Sequence, residues 1–129
     1  MLTQSRMTTI LPVVNVERAR KFYEGALGLR PAETRDDGTV LYRVDRGEFA
    51  LSPRTEPTHN QYTAASFEVK DVVAEVKDLE RRGVAFEDYD LPDLKTVEHV
   101  CVMGSEKAAW FKDPEGNILC LHEDVSPSR

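Results

Sequence analysis

Hydrophobic and polar residues follow two different spacings in the first thirty residues of the chain. Residues 8–14 are rich in β-branched side chains and predict a strand. Apolar residues then recur at helical spacing over residues 15–27, between Asn15, a good N-cap, and Gly28, a good helix stop. The chain therefore begins with a predicted strand followed by a predicted helix.

Three short strand patterns follow that helix. The sequence Asp-Asp-Gly at 36–38 is typical of a hairpin turn. The strand patterns cover residues 32–35, 39–44 and 49–52. The first half is thus predicted to have the order β-α-β-β-β, and the polar segment 54–60, with a proline inside it, is predicted to be a linker.

The same order of elements returns in the second half. Asp71 and Gly83 bracket an apolar helical pattern, and the turn at 113–116 separates two strand patterns. The predicted strands of this half cover residues 63–69, 84–87, 107–112 and 117–122.

The two halves overlay with a constant offset of 56 residues at their start, which matches Thr8 to Ala64 and Asn15 to Asp71. At their end the offset is 69, so the second half carries an insertion of 69 − 56 = 13 residues. This insertion lies in 91–106 and contains a strand-like piece at 97–103.

A duplicated β-α-β-β-β unit predicts an α+β fold of two paired modules. One unit cannot cover its own sheet, so two units are expected to pair and curl around a shared concavity, which is the default ligand site. We predict a single domain, with module 1 at about 7–53, the linker at 54–60, module 2 at about 61–123 and a C-terminal tail at 124–129.

Charge limits the partners of the chain. The 129 residues include 17 Lys and Arg against 23 Asp and Glu, a net charge of −6, and the pI is about 5.1. A protein that neutralises nucleic-acid phosphates normally carries a basic surface, so we expect no nucleic-acid partner. Residues 61–129 carry 8 basic and 15 acidic side chains, a charge of −7, which favours cations over anions near the second half.

Location is predicted from missing signals. We expect no membrane association, because the longest uncharged stretch, 57–67, has only 11 residues where a spanning helix needs about 20. The first residues do not resemble a secretory signal. Two cysteines, Cys101 and Cys120, cannot form a disulfide framework and are expected to be reduced and buried, so a cytoplasmic location is expected.

Two segments carry a resemblance to a known family. The sequence VVNVERARKFYEGALG at 13–28 resembles the first-helix signature of the vicinal oxygen chelate superfamily, and WFKDPEGNIL at 110–119 resembles its last-hairpin signature. This superfamily includes glyoxalase I, bleomycin-resistance proteins and extradiol dioxygenases. The resemblance implies a sheet-lined cup made of two β-α-β-β-β modules, commonly in a homodimer, and it leaves the reaction open.

The resemblance also implies four metal-ligand positions, which the enzymes of the superfamily fill with His, Glu or Gln. Here these positions hold Thr8, Leu51, Ala64 and Cys120. A shift of one residue in the first module would bring in Ala50 or Ser52 instead of Leu51, and neither is a carboxylate. Divalent ions need several imidazole or anionic oxygen ligands, so we predict no metal and no cofactor.

Two other interpretations use the histidines. Cys120 and His122 share one strand face. In one hypothesis the insertion places His99 close to both, and the three side chains form a metal site. The same Cys120 and His122 suggest a thiol nucleophile with a base. The simpler interpretation, which we favour, is a buried cysteine in a former ligand position.

The predicted ligand-binding set combines these positions with aromatic residues of the third strands and with His99 of the insertion. It consists of Thr8, Tyr42, Leu51, Ala64, His99, Trp110 and Cys120. The leading functional hypothesis is metal-independent binding of a small apolar or cationic molecule in the cup, as in bleomycin-resistance proteins. The alternatives are a glyoxalase-like or dioxygenase-like lyase, isomerase or oxidoreductase with an unusual or absent metal site, and a non-catalytic association subunit.

Overall fold

The computed structural model describes residues 1–124, so the predicted tail beyond 124 lies outside the described residues. A short 3-10 helix covers Leu2–Gln4, α1 covers Val16–Arg20 and continues as a π-helical segment over Lys21–Ala26, and α2 covers Val72–Arg81. The strands are β1 Thr9–Val13, β2 Pro31–Thr34, β3 Val40–Val44, β4 Gly47–Pro53, β5 Thr63–Glu68, β6 Asp90–Leu91, β7 Leu94–Lys95, β8 Cys101–Met103, β9 Glu106–Lys112 and β10 Ile118–Asp124. None of the helices in this described part is long and apolar enough to cross a membrane.

The two halves of the chain build sheets of the same design. The first sheet has the strand order β1-β4-β3-β2 and the second has the order β5-β10-β9-β8. In each sheet the first strand of the half runs parallel to the last, and the other pairs are antiparallel. This mixed architecture confirms the predicted α+β fold with two β-α-β-β-β units.

Both helices begin at the predicted caps. The Asn15 carboxamide oxygen accepts the Arg18 N–H, and the Asp71 carboxylate accepts the Ala74 N–H, which satisfies donors that a helix start leaves free. The backbone φ of Gly83 after α2 is +96°, a left-handed conformation in which glycine ends helices without strain.

The segment between α2 and β9, which includes the insertion, differs from its prediction. Residues 84–87 do not form a strand, because Phe86 makes only an isolated bridge to Phe111 and the apolar run packs into the core instead. Of the strand-like piece 97–103, only Cys101–Met103 is a strand. Residues 97–100 form a tight turn instead, and the small β6–β7 hairpin before it was not predicted.

Aromatic side chains fill the space between the two sheets. Tyr23 of the α1 π-helical segment contacts Tyr42 and Phe49 of the first sheet, with ring centroids 5.9 and 5.3 Å apart. Phe49 also meets Phe67 of the second sheet at 6.1 Å, and all four rings belong to one hydrophobic core. Each sheet therefore has a face covered by this core and a second face turned away from it.

The turn at residues 113–117 joins the second sheet to the first unit. Asp113 accepts the Tyr23 hydroxyl at 2.6 Å, and the Asn117 amide donates to the Pro12 carbonyl at 3.0 Å. The Glu115 carboxylate accepts the backbone N–H of Val14 and is paired with Arg18, whose Nη2 lies 2.6 Å from Oε2. This 113–117 turn thus fixes the end of β1 and the start of α1 from the other half of the chain.

Candidate functional site

The faces of the two sheets that point away from the core form the candidate site, and we call them the first and second open faces. Side chains alternate across a strand, so the neighbours of the core residues define these faces. The first open face contains Thr8, Ile10, Leu41, Arg43, Glu48 and Ala50. The second contains Ser66, Glu68, Ala108, Trp110, Cys120 and His122.

Thr8 lies on the first open face, beside an acidic residue that sequence reasoning missed. Its hydroxyl donates to Glu48 Oε1 at 2.6 Å, and the Glu48 carboxylate also lies 3.6 Å from Arg6 and 3.5 Å from Arg43. The Thr8 hydrogen bond, followed by the Arg43 and Arg6 guanidinium groups, holds the pKa of Glu48 below its usual value. The only sequence signal for Glu48 was its place two residues before Ala50 on the same strand.

Leu51 is not on the open face, which corrects the prediction. It is fully buried in the core, because β1 and β4 pair Leu11 with Leu51 and Ile10 with Ala50. In the second sheet the pair equivalent to Ile10 and Ala50 is Ser66 and Cys120. Ala50 is therefore the structural counterpart of Cys120. This is the alternative in which the first module is shifted by one residue relative to the predicted alignment.

Tyr42 is also placed differently from its prediction. The side chain is fully buried against Tyr23 and Phe49, and its hydroxyl donates to Glu24 of the α1 π-helical segment at 2.7 Å. Burial, followed by the hydrogen bond to Glu24, raises the pKa of Tyr42. Tyr42 supports the core and does not line the open face.

Ala64 occupies an irregular position in β5. Thr63 pairs with Ile118 and Ala65 with Leu119, so Ala64 is an extra residue in a bulge. It is partly buried and packs against the core cluster. The methyl group offers no ligand atom to a metal.

Trp110 is the aromatic residue of the second open face. Its indole Nε1–H donates to Thr63 Oγ1 at 3.1 Å, and the ring of Tyr89 packs edge-on against it with centroids 5.6 Å apart. The indole is partly exposed, whereas its strand neighbours Ala109 and Phe111 are fully buried. The chain thus holds one large aromatic surface in a fixed orientation beside solvent.

Cys120 lies on the second open face but is 94% shielded by its neighbours, as its exposure of 6% shows. Burial raises the pKa of the Cys120 thiol, which disfavours the thiolate that a nucleophile needs. His122 does not serve this thiol as a base in the structure, because its Nδ1 is hydrogen-bonded to Ser66 Oγ at 2.6 Å. The hypothesis of a Cys120 nucleophile is therefore not supported by this geometry.

His99 is held within the insertion. Its ring lies between Asp88, at 2.8 Å from Nδ1, and Glu80 of α2, at 3.1 Å from Nε2, and it stacks on Phe86. The hydrogen bond that His99 donates to the Asp88 carboxylate raises the pKa of His99. Within residues 1–124 no three His, Cys, Asp or Glu side chains form a metal-binding group, so the hypothesis that combined His99 with Cys120 and His122 is wrong.

An open cavity of about 560 Å³ lies on the Tyr89 side of the aromatic pair, and Trp110 is not part of its lining. Tyr89 contributes to its wall, and Lys112 and Glu87 within it form an ion pair at 3.3 Å. The rest of its lining comes from the linker and the 113–117 turn with the start of β10, namely Thr58, His59, Asn60, Gln61, Gly116 and Ile118. The cavity combines aromatic, polar and charged walls in a volume that suits a small ligand.

Comparison with known proteins identifies the family. The model of the Glyoxalase/Bleomycin resistance protein/Dioxygenase superfamily matches residues 6–121, and the chain belongs to this superfamily. The two-sheet α+β arrangement is the fold of that superfamily, in which the sheets form a cup. A comparison with curated proteins gave no significant match.

Solved structures share this fold at low sequence identity. A superfamily member from Sphaerobacter thermophilus DSM 20745 is similar at 22% identity and a TM-score of 0.75, over 96% of this chain and 100% of that one. TnmS3, an antibiotic-binding protein from Streptomyces sp. CB03234, is similar at 20% identity and a TM-score of 0.65, over 96% of this chain and 98% of that one. Lactoylglutathione lyase from Agrobacterium tumefaciens is similar at 19% identity and a TM-score of 0.62, over 93% of both chains.

The donors at the family's metal positions do not fit a divalent ion. With the register of the structure these positions are Thr8, Ala50, Ala64 and Cys120. They supply one hydroxyl, already bonded to Glu48, and one buried thiol. Divalent ions are held in proteins by several carboxylate, imidazole or thiolate ligands, and this set lacks them.

Proposed function

We propose that this chain binds a small, largely apolar or cationic molecule without a metal ion, in the manner of bleomycin-resistance proteins. The observation that carries the proposal is the arrangement of Trp110, Tyr89 and Thr63 beside the 560 Å³ cavity. A partly exposed indole whose orientation is fixed by a hydrogen bond and an edge-on aromatic ring is suited to stack on a flat ligand. The resemblance in fold to an antibiotic-binding protein agrees with this function.

The polarity of the open faces supports an apolar ligand. Where the metalloenzymes of the superfamily carry ligating side chains, this chain carries Ala50, Ala64 and the protonated Cys120. Ile10, beside Ala50, is 52% exposed and adds apolar surface to the first open face. Such a surface gains free energy when an apolar molecule displaces water from it.

Charge supports a cationic ligand over an anionic one. Glu68 lies on the second open face, and residues 61–129 carry a charge of −7, whereas Glu87 of the cavity is balanced by its ion pair with Lys112. A cation placed over the indole of Trp110 would gain about 0.5–2 kcal/mol from the aromatic ring. We therefore expect neutral or positively charged aromatic molecules to bind in preference to anionic acids.

Trp110 reports on this binding, because it is the only tryptophan of the chain. We expect planar aromatic cations to change the Trp110 emission saturably, with the same dissociation constant in the presence and absence of a metal chelator. Trp110→Phe should retain much of the binding when measured by calorimetry, and Trp110→Ala should weaken it at least fivefold because the stacking surface is lost.

Tyr62→Phe is a matched control, because Tyr62 is exposed and lies outside the cavity lining. Loss of binding on chelation would contradict metal independence and favour the lyase or oxidoreductase alternative. Tighter binding of small organic anions than of cations would contradict the charge argument.

We also propose that the protein is a cytoplasmic homodimer whose ligand cup is completed by a second copy. Phe49 and Phe67 meet through the core faces of the two sheets, so within one chain the open faces are turned away from each other. A second copy would set the first open face of one chain opposite the second open face of the other. Light scattering at micromolar concentration should give twice the chain mass of 14.6 kDa, and a monomer would contradict this arrangement.

A further inference from the structure

We propose that Ser66 and His122 form a nucleophile and base pair on the second open face, which gives this chain an acyl-transfer activity toward activated esters. The inference is separate from the proposed ligand binding, because it rests on a hydrogen bond between β5 and β10 in which neither Trp110 nor Tyr89 takes part. Nothing in it requires a metal ligand.

The sheet register brings the two residues together. β5 and β10 run parallel, with Ser66 paired to Cys120 and Glu68 paired to His122. Ser66 and His122 are therefore diagonal neighbours on one face, although 56 positions separate them in the sequence. The distance from Ser66 Oγ to His122 Nδ1 is 2.6 Å, which is hydrogen-bond contact between a hydroxyl and a ring nitrogen.

Glu68 is the carboxylate beside the far side of the His122 ring. Its Oε1 lies 3.8 Å from His122 Nε2, the ring nitrogen that faces away from Ser66. A nearby carboxylate favours the proton on Nε2, so Nδ1 carries the lone pair and accepts the Ser66 hydroxyl proton. The order serine, histidine, carboxylate is the arrangement by which a base and its orienting group activate a hydroxyl.

Solvent exposure distinguishes the Ser66 hydroxyl from the neighbouring Cys120 thiol. Ser66 is exposed, and the His122 side chain is 32% exposed, so an ester can approach the hydroxyl. Cys120, the register partner of Ser66, is buried and its thiol is protonated. Trp110 of β9 is the register partner of Cys120 on its other side, and its ring offers an apolar surface to the leaving group.

The step transfers one acyl group and conserves all atoms. Ser66 Oγ attacks the ester carbonyl carbon while its proton passes to His122 Nδ1, and the bond from that carbon to the leaving oxygen breaks. The leaving group takes the proton from His122 and departs as the alcohol or phenol. Water, with His122 again as the base, then hydrolyses the acyl-serine to the acid and restores Ser66.

The test uses p-nitrophenyl acetate and the full chain. We expect release of p-nitrophenol together with one acetyl group on the peptide that contains Ser66, detected by mass spectrometry after acid quenching. Ser66→Ala should abolish both, while Ser52→Ala, a serine of β4 on the other sheet, should leave both unchanged. Cys120→Ala should retain acetylation at Ser66, because the thiol is not the nucleophile.

The role of His122 has its own readout. His122→Ala should slow acetylation of Ser66 at least a hundredfold, the lower end of general-base effects, and added imidazole should restore part of the rate. Acetyl groups found on lysine or Cys120, at a rate that Ser66→Ala leaves unchanged, would overturn the proposal. Circular dichroism of each variant separates this outcome from unfolding, and the Trp110 titration of Ser66→Ala separates it from a failure of ligand binding.

Discussion

Replacing Asp113 with alanine is expected to lower the free energy of unfolding by about 3–5 kcal/mol, since it removes a buried acceptor shared by several donors. The carboxylate accepts the Tyr23 hydroxyl, the backbone N–H groups of Glu115 and Asn117, and the Asn117 amide, at 2.6 to 2.9 Å. Asp113 is 4% exposed, so water cannot replace it at these donors without opening the core. Urea unfolding followed by circular dichroism measures the change.

A matched substitution on the other side of this contact has a smaller expected effect. Tyr23→Phe removes one hydrogen bond to Asp113 and leaves the other three donors in place, so we expect a loss of about 1 kcal/mol. If Asp113→Ala and Tyr23→Phe lowered the free energy of unfolding equally, the hydrogen bond from Tyr23 alone would account for the contribution of Asp113. If Asp113→Ala unfolded at the wild-type urea concentration, the buried network would be energetically unimportant.

Replacing Glu115 with glutamine is expected to cost about 2–3 kcal/mol at neutral pH, because hydrogen bonds to a charged acceptor are stronger than neutral ones. The Glu115 side chain is 2% exposed and accepts from the N–H groups of Val14 and Asn15 and from the Arg18 guanidinium. Burial acts to raise the pKa of Glu115, but the Val14 N–H and Arg18 together lower it below the ordinary value of 4.5.

The lowered pKa of Glu115 determines how the loss of stability in Glu115→Gln depends on pH. A carboxylate whose pKa is lower in the folded state stabilises the fold fully above pH 4.5, and this contribution is lost as the pH falls through the folded-state value. The difference between wild type and Glu115→Gln should therefore shrink as the protein is acidified below pH 4.5. Glu17→Gln, at an exposed position in α1 next to Arg18, should stay within about 0.5 kcal/mol of wild type. A difference that grew on acidification would contradict the assignment.

The fold was largely predictable because its signals are local. Caps such as Asn15 and Asp71 mark helix starts by a single side-chain hydrogen bond, and the repeat at an offset of 56 showed that one design occurs twice. The strand predicted at 84–87 was wrong because an apolar run can pack into the core without a continuous ladder, as Phe86 does with its single bridge to Phe111.

The candidate site was harder to predict because strand faces depend on turn length. The turn before β4 has two residues, since Val44 pairs with Gly47, whereas the turn before β10 has five, since Lys112 pairs with Ile118. The offset of 69 therefore matched Cys120 to Leu51, one residue beyond its structural counterpart, Ala50. The contact between Ser66 and His122 depends on the parallel register of β5 and β10, which no local pattern specifies.

The 113–117 turn also determines when the chain can finish folding during synthesis. The N–H groups of Val14 and Asn15 find their acceptor in Glu115, which the ribosome adds about a hundred residues later. Until then the start of α1 lacks this acceptor, and the N-terminal unit emerges before its core partner Phe111 exists. Contacts so distant in sequence slow folding, and a nascent chain stalled before residue 113 would expose the apolar side of α1 to chaperones.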